Sequence, residues 1–200
     1  MADFHKFSDK HSTKLTIIFG PMKSEKSTAV IRLARKYGKY YNVIVVSPII
    51  NIRTSDGLSK SRNGISIECI NVKRLKDLSD NNRFLEADIV VIDEAQFFEN
   101  LDTFVKKWLT QKNFVISSLD ADAKQEKFGH VWNLIPFATK VKKLCALCEL
   151  CQNGNRAVAT IINPKYKDQR QDQISVVDGN SDYYLPVCFA HSQKNYDKAY

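Results

Sequence analysis

Four residues near the carboxyl end, Cys148, Cys151, Cys188 and His191, have the types and spacing of a metal site. They form C-x-x-C and, after 36 intervening residues, C-x-x-H. Two such pairs supply the four ligands that tetrahedral zinc needs, each pair clasped by a tight turn. Cys145 lies on the same C-x-x-C-x-x-C run and stands as a substitute for Cys148. The bland alternative is a set of buried, inert thiols. With four protein ligands and no obvious water position, the metal would be structural, stapling two strands around a loop from about Asn153 to Pro186. Chelation is then expected to lower thermal stability without touching the phosphate-binding loop that lies upstream.

A second group lies far upstream. In GPMKSEKST, Gly20, Lys26 and Ser27 fit the phosphate-binding pattern G-x-x-x-x-G-K-[ST]. In that pattern backbone N–H groups close around a polyphosphate, the lysine reaches the terminal phosphates and the hydroxyl ligates magnesium. The second glycine is replaced by Glu25. A side chain there crowds a turn built for bare backbone and brings a carboxylate to the place of the phosphates. At ~5 Å and an effective dielectric of ~20, the repulsion costs roughly 3 kcal/mol, which Lys23 and Lys26 offset in part. Without nucleotide, the same carboxylate at a helix N-terminus is favourable by about 0.3–1 kcal/mol. Retained nucleotide binding and a helix entry that never meets phosphate both remain open.

The third group is acidic. ADIVVIDEAQFF runs from Ala87 to Phe98, and its apolar stretch Ile89 to Ile92 ends in Asp93 and Glu94. A Walker B strand delivers an acid to the carboxyl edge of a parallel sheet in this way. Asp93 would hold magnesium, directly or through water, leaving Glu94 for proton transfer. The alternative is an ordinary acidic strand end.

Elements that must position these groups follow from periodicity. Leu15 to Phe19 reads as a buried strand, Ser27 to Tyr40 as an amphipathic helix, and Val43 to Ser47 as a second strand. Pro48 to Gly64 reads as a long loop, Ile65 to Ile70 as a strand and Lys73 to Leu85 as a helix. Leu101 to Lys112 is helix-like, and Phe114 to Leu119 is a buried strand ending at Asp120. Alternating strands and helices predict an α/β fold with a parallel, doubly wound sheet. The expected organisation is a flexible arm over residues 1–13, a phosphate-loop nucleotide-binding core over 14–143, a zinc-binding unit over 144–192 and a tail over 193–200.

The 200 residues, 44% of them hydrophobic, suit one α/β domain with a small appendage. No apolar run approaches the ~18 residues of a membrane span, and Met1 to Lys14 lacks the apolar core of a signal peptide. A cytoplasmic protein with no membrane partner is expected, and its cysteines point to metal rather than disulfides. The net charge of +8 is compatible with anionic ligands. No basic block interleaves with aromatics, so the surplus reads as a solvated surface, and RNA contact rests on net charge alone.

GPMKSEKSTAVIRLARKY, DEAQFF, LDADAKQEKFG and the C-x-x-C with C-x-x-H pair, in this order and spacing, resemble the type II thymidine kinases over about residues 15–192. The resemblance implies a RecA-like phosphate-loop core, a zinc-stapled lasso closing over a nucleoside, and transfer of the ATP γ-phosphoryl group to the 5′-hydroxyl of thymidine. It also implies a tetramer. Carried over residue by residue, it gives Gly20, Lys26, Ser27 and Arg53 to the phosphates, Asp93 to the metal side and Glu94 to the base. Met22, Phe98 and Phe128 match the base pocket. Gly179 and Asn180, with Tyr183 or Tyr184, match the lasso stretch that reads the pyrimidine edge.

Departures from the pattern fall on both the phosphate and base sides. Lys23 stands for a phenylalanine, Glu25 for a glycine, Asn51 for an aspartate, Arg62 for a histidine, Ala123 for a pocket aromatic and Asp178 for the first lasso glycine. Losing an aromatic wall removes about 1–3 kcal/mol of ligand burial. Two functions therefore compete: a thymidine kinase using ATP with Mg2+ on a thymidine-like deoxynucleoside, impaired by Glu25, or a silent homologue serving as a structural or binding subunit for a protein or ribonucleoprotein partner.

Overall fold

The computed structural model describes residues 13–50, 57–60, 64–166 and 182–196. Strand β1 (Leu15–Gly20) is buried throughout, with Leu15, Ile17 and Phe19 on one face and Ile18 on the other. Helix α1 (Lys26–Tyr37) follows and stops three residues short of the predicted Tyr40, where Gly38 N–H closes on Ala34 O at 2.8 Å. It buries Val30, Ala34 and Tyr37 against the Ile18 face. Strand β2 (Val43–Pro48) then lies in the sheet interior.

The predicted loop after β2 holds an extra strand, β3 (Leu58–Lys60), which pairs antiparallel with β4 (Ser66–Glu68). The single strand predicted over Ile65 to Ile70 is two, β4 and β5 (Ile70–Val72), because Cys69 breaks away to donate its N–H to Gly57 O at 2.8 Å. Lys73 to Leu85 is likewise divided. A 3-10 turn over Leu75–Leu78 precedes a short helix α2 (Asn82–Glu86), whose N-cap Asn81 accepts the Phe84 N–H at 3.1 Å. An Asx cap competes with continued helix, which is why the apolar periodicity survived there while the helix did not.

Strand β6 (Ile89–Ile92), helix α3 (Leu101–Trp108) and strand β7 (Asn113–Leu119) follow the predicted order, α3 ending four residues early. Strand β8 (Lys140–Lys143), not anticipated from the sequence, runs parallel to β1 at the sheet edge. Its KVKK composition lacks an apolar face, and edge lysines discourage further pairing.

Among the described residues the main sheet has six parallel strands in the order β5-β2-β6-β7-β1-β8. Helix α1 covers one face, and α2, α3 and a 3-10 segment over Val131–Phe137 cover the other. All carboxyl ends therefore share one edge, where β1 delivers the phosphate-type loop, β6 delivers Asp93 and β7 delivers Asp120.

Beyond β8 lies a small unit with its own core. Strand β9 (Ala146–Leu147) pairs with β10 (Arg156–Ala157), and β11 (Ala159–Ile162) with β12 (Tyr184–Val187), all antiparallel. Ala157, Ile161, Leu185 and Val187 pack with Cys148 at its centre, and helix α4 (Phe189–Tyr196) closes it.

Candidate phosphate-loop site and metal centre

Between β1 and α1 the backbone makes two left-handed excursions, at Lys23 (φ 61°) and Glu25 (φ 65°). Glu25 thus adopts the conformation glycine favours, at a cost of about 1–2 kcal/mol for a residue with a Cβ, and its carbonyl accepts the Ala29 N–H at 2.9 Å to start the helix. Gly20 is required by space, since a Cβ would lie 2.4 Å from Ser24 Oγ and 2.8 Å from Leu144 O. Lys26 is buried and donates from Nζ to Pro21 O at 2.8 Å, arching across the loop. Ser27 follows it in the first turn of the helix.

The loop is also tied to the small unit. Met22 N–H donates to Thr160 Oγ1 at 2.9 Å, and Lys23 Nζ pairs with Glu149 Oε1 at 2.5 Å. Gln125 Nε2 donates to the Thr160 carbonyl at 2.7 Å. Glu149 sits inside the C-x-x-C run. The loop and the metal-ligand unit are therefore in direct contact.

At the end of β6, Asp93 is 1% exposed and accepts from Ser117 Oγ and, at 3.5 Å, from Ser59 Oγ. Ser117 comes from β7, which separates β6 from β1, and the register Ile92↔Ile116 places it beside Asp93. Glu94 is left-handed (φ 52°). Its Oε2 accepts from Gln96 Nε2 at 2.7 Å, and Gln96 Oε1 accepts the Leu119 N–H at 3.2 Å, so one buried amide joins the acidic turn to β7. The 119–129 segment closes on the same turn. A Cβ on Gly129 would meet Gln96 O at 2.5 Å, and Phe128 meets Phe97 edge-on at 5.6 Å. Phe98, matched by resemblance to the base pocket, is 2% exposed in the main core, and the neighbouring Phe97 faces Phe128 instead.

Tyr183 is buried, its ring 5.3 Å from Tyr166 and 4.9 Å from Tyr184, which opens β12. Tyr166 Oη donates to Asp182 Oδ1 at 2.7 Å. Arg53, Gly179 and Asn180 lie outside the described residues, as do Asn51, Arg62 and Asp178. Sequence reasoning missed Ser117, Gln96, Phe97, Glu149 and Thr160. A signal existed for Ser117, a polar position inside the apolar strand FVISSL; the others depend on tertiary approach.

Cys148, Cys151, Cys188 and His191 converge, with all ligand atoms within 4.8 Å of one another. The Cys151 and Cys188 sulfurs are 3.6 Å apart, and His191 Nδ1 lies 3.6 Å from Cys148 and 3.4 Å from both Cys151 and Cys188. A zinc tetrahedron with ordinary bond lengths has edges of about 3.8 Å between sulfurs and about 3.6 Å from sulfur to nitrogen. The donor set therefore fits zinc in both chemistry and spacing. Burial opposes ionisation of Cys148, yet backbone N–H groups of Cys188 and Cys151, the His191 ring and Leu150 N–H outweigh it and bring the thiol down to about 6. Cys145 is exposed and outside the cluster.

A parallel sheet carrying a phosphate-type loop and a buried acid at one edge, with an appended Cys3His unit, defines the class of α/β proteins with a P-loop-like core. Residues 13–192 match the thymidine kinase family model. The chain is 32% identical over 185 residues to a thymidine kinase of Oryza sativa subsp. japonica, covering 89% of this chain and 65% of that protein. It is 32% identical over 201 residues to that of Ureaplasma urealyticum serovar 10 (96% and 87%) and 31% over 182 residues to that of Yaba monkey tumor virus (90% and 94%). The chain belongs to the thymidine kinase family, in its type II branch, with a degenerate phosphate loop. Among the described residues no helix is long and apolar enough to cross a membrane.

Proposed function

We propose that this chain transfers the γ-phosphoryl group of ATP to the 5′-hydroxyl of thymidine or a related deoxynucleoside. What supports the reading is the backbone at Glu25: φ 65° and ψ 24° lie in the left-handed region that glycine favours, a conformation compatible with a phosphate turn despite the substitution. Lys26 would leave Pro21 O for the terminal phosphates, with loop N–H groups, Ser27 and Arg53 beside it. Bound magnesium would neutralise charge on the β and γ phosphates. Ser27 and Asp93 suit it, Asp93 through water because its oxygens already accept two hydroxyls.

Glu94, oriented by Gln96, accepts the 5′-hydroxyl proton as that oxygen bonds to the γ-phosphorus and the bond to the β-phosphate oxygen breaks, releasing ADP. Met22, Phe128 and the lasso residues Gly179, Asn180, Tyr183 and Tyr184 would hold the base, with Phe98 supporting them from the core. Zinc at Cys148, Cys151, Cys188 and His191 is structural, and the assembly is a tetramer by resemblance to the family.

Transfer of labelled γ-phosphate to thymidine by the zinc-loaded chain tests this, with Glu94→Gln as control. Transfer that falls at least about a hundredfold in the variant, with ATP affinity within a few-fold, is the expected result. Full activity in Glu94→Gln would remove it from the base role. A second reading, a silent homologue used as a binding subunit, is favoured by the Glu25 carboxylate at the loop and by Ala123 in place of a pocket aromatic. Transfer absent from a folded, zinc-loaded chain would leave that reading standing.

A further inference from the structure

Lys23 is where three parts of the molecule meet. Its backbone is left-handed inside the loop, its ammonium is 2.5 Å from Glu149 Oε1, and its charge is one of several influences that lower the pKa of Asp182, behind the hydrogen bond from Tyr166. Glu149 lies between Cys148 and Cys151, and its own N–H donates at 3.1 Å to the carbonyl of Pro186 on β12, the strand that leads to Cys188. The adjacent residue Met22 is bonded to Thr160 on β11. Side chains of Lys23 and Glu149 are only 23% and 36% exposed, so the pair is partly shielded from solvent.

We propose that Glu149 is a positioning residue for the phosphate loop, acting through Lys23, and that metal occupancy of the Cys3His cluster sets the loop's conformation. An occupied cluster fixes the C-x-x-C turn and with it the Glu149 carboxylate. That carboxylate holds Lys23, and Lys23 holds the left-handed backbone two residues before Glu25. Losing the metal frees the turn, and the loop loses its outer anchor. The metal unit then governs readiness to accept a polyphosphate in addition to the stability of its own fold. This rests on reading residues 20–27 as the phosphate loop, but it is testable without any nucleotide.

The experiment is amide hydrogen exchange on full-length protein, zinc-loaded and chelator-stripped, comparing the loop peptide with β6 as an internal reference. It includes Glu149→Gln, Lys23→Met and the double variant, each with zinc content measured. Exchange in the loop is expected to rise about fivefold in either single variant at full zinc content, with no further rise in the double variant. Stripping the wild type should raise it at least as much while β6 is unchanged. Loop exchange at the wild-type rate in Glu149→Gln, or effects of the two variants that simply add, would overturn the latch. A stripped wild type with an unchanged loop would overturn the metal coupling. ATP titration of the same samples separates the questions, because an intact latch without ATP binding would count against the kinase reading alone.

Discussion

Glu25 concentrates the conflict between strain, charge and function in one side chain. Its left-handed backbone costs about 1–2 kcal/mol relative to glycine, against which glycine pays about 0.5–1 kcal/mol in unfolded-state entropy. Glu25→Gly is therefore expected to leave stability unchanged or raise it by about 1 kcal/mol, measured by denaturant unfolding. The larger consequence is electrostatic. Removing a carboxylate worth roughly 3 kcal/mol of repulsion should tighten MgATP binding by about a hundredfold, less whatever Lys23 and Lys26 already offset. Affinity that does not move would mean the carboxylate points away from the phosphates. Both the gap in the motif and its charge were readable from residues 20–27. The left-handed backbone was readable only by analogy with the glycine it replaces. Glu149, which holds Lys23, was not readable, because it acts across an approach of 126 residues that no local pattern encodes; Gln96 is only two residues from Glu94, but its anchor on the Leu119 N–H lies 23 residues on.

At the scale of elements, apolar periodicity located β1, β2, β6, β7, α1 and α3 to within a few residues, since each buries a face that must repeat at its own period. It failed where capping chemistry or edge position decides. The predicted helix over Lys73 to Leu85 is broken before Asn82 by the Asn81 side chain, and β8 has no buried side chain to announce it. The cap is testable: Asn81→Ala should cost about 1 kcal/mol of unfolding free energy, whereas Asn81→Asp should cost little. A neutral Asn81→Ala would show that Phe84, fully buried against Phe104 and Trp108, holds α2 without help.

For the whole molecule, the two units differ in what holds them together. The main core buries aliphatic and aromatic side chains on both sheet faces, whereas among the described residues the small unit's core is one cluster of seven buried apolar residues, Cys148 among them, too few to stabilise four short strands alone. Metal removal is accordingly expected to lower the melting temperature by about 5–15 °C, read by scanning calorimetry before and after chelation. A chain purified without chelator that contains no zinc, or that melts identically when stripped, would contradict a metal role in folding. The convergence of Cys151, Cys188 and His191 with a third cysteine was legible from spacing, because metal ligands must cluster whatever the fold around them, whereas the choice of Cys148 over Cys145 came from the structure. The seating of that unit on the phosphate loop was not legible, since it follows from where β8 leaves the sheet.

The proposed kinase chemistry would begin with a polyphosphate entering a loop that carries glutamate in place of glycine. Calorimetric titration of MgATP into the zinc-loaded chain, with thymidine titrated separately, tests that step directly. Saturable binding of both ligands, with MgATP at about tens of micromolar, is the predicted result. A folded, zinc-loaded protein that binds neither would contradict it.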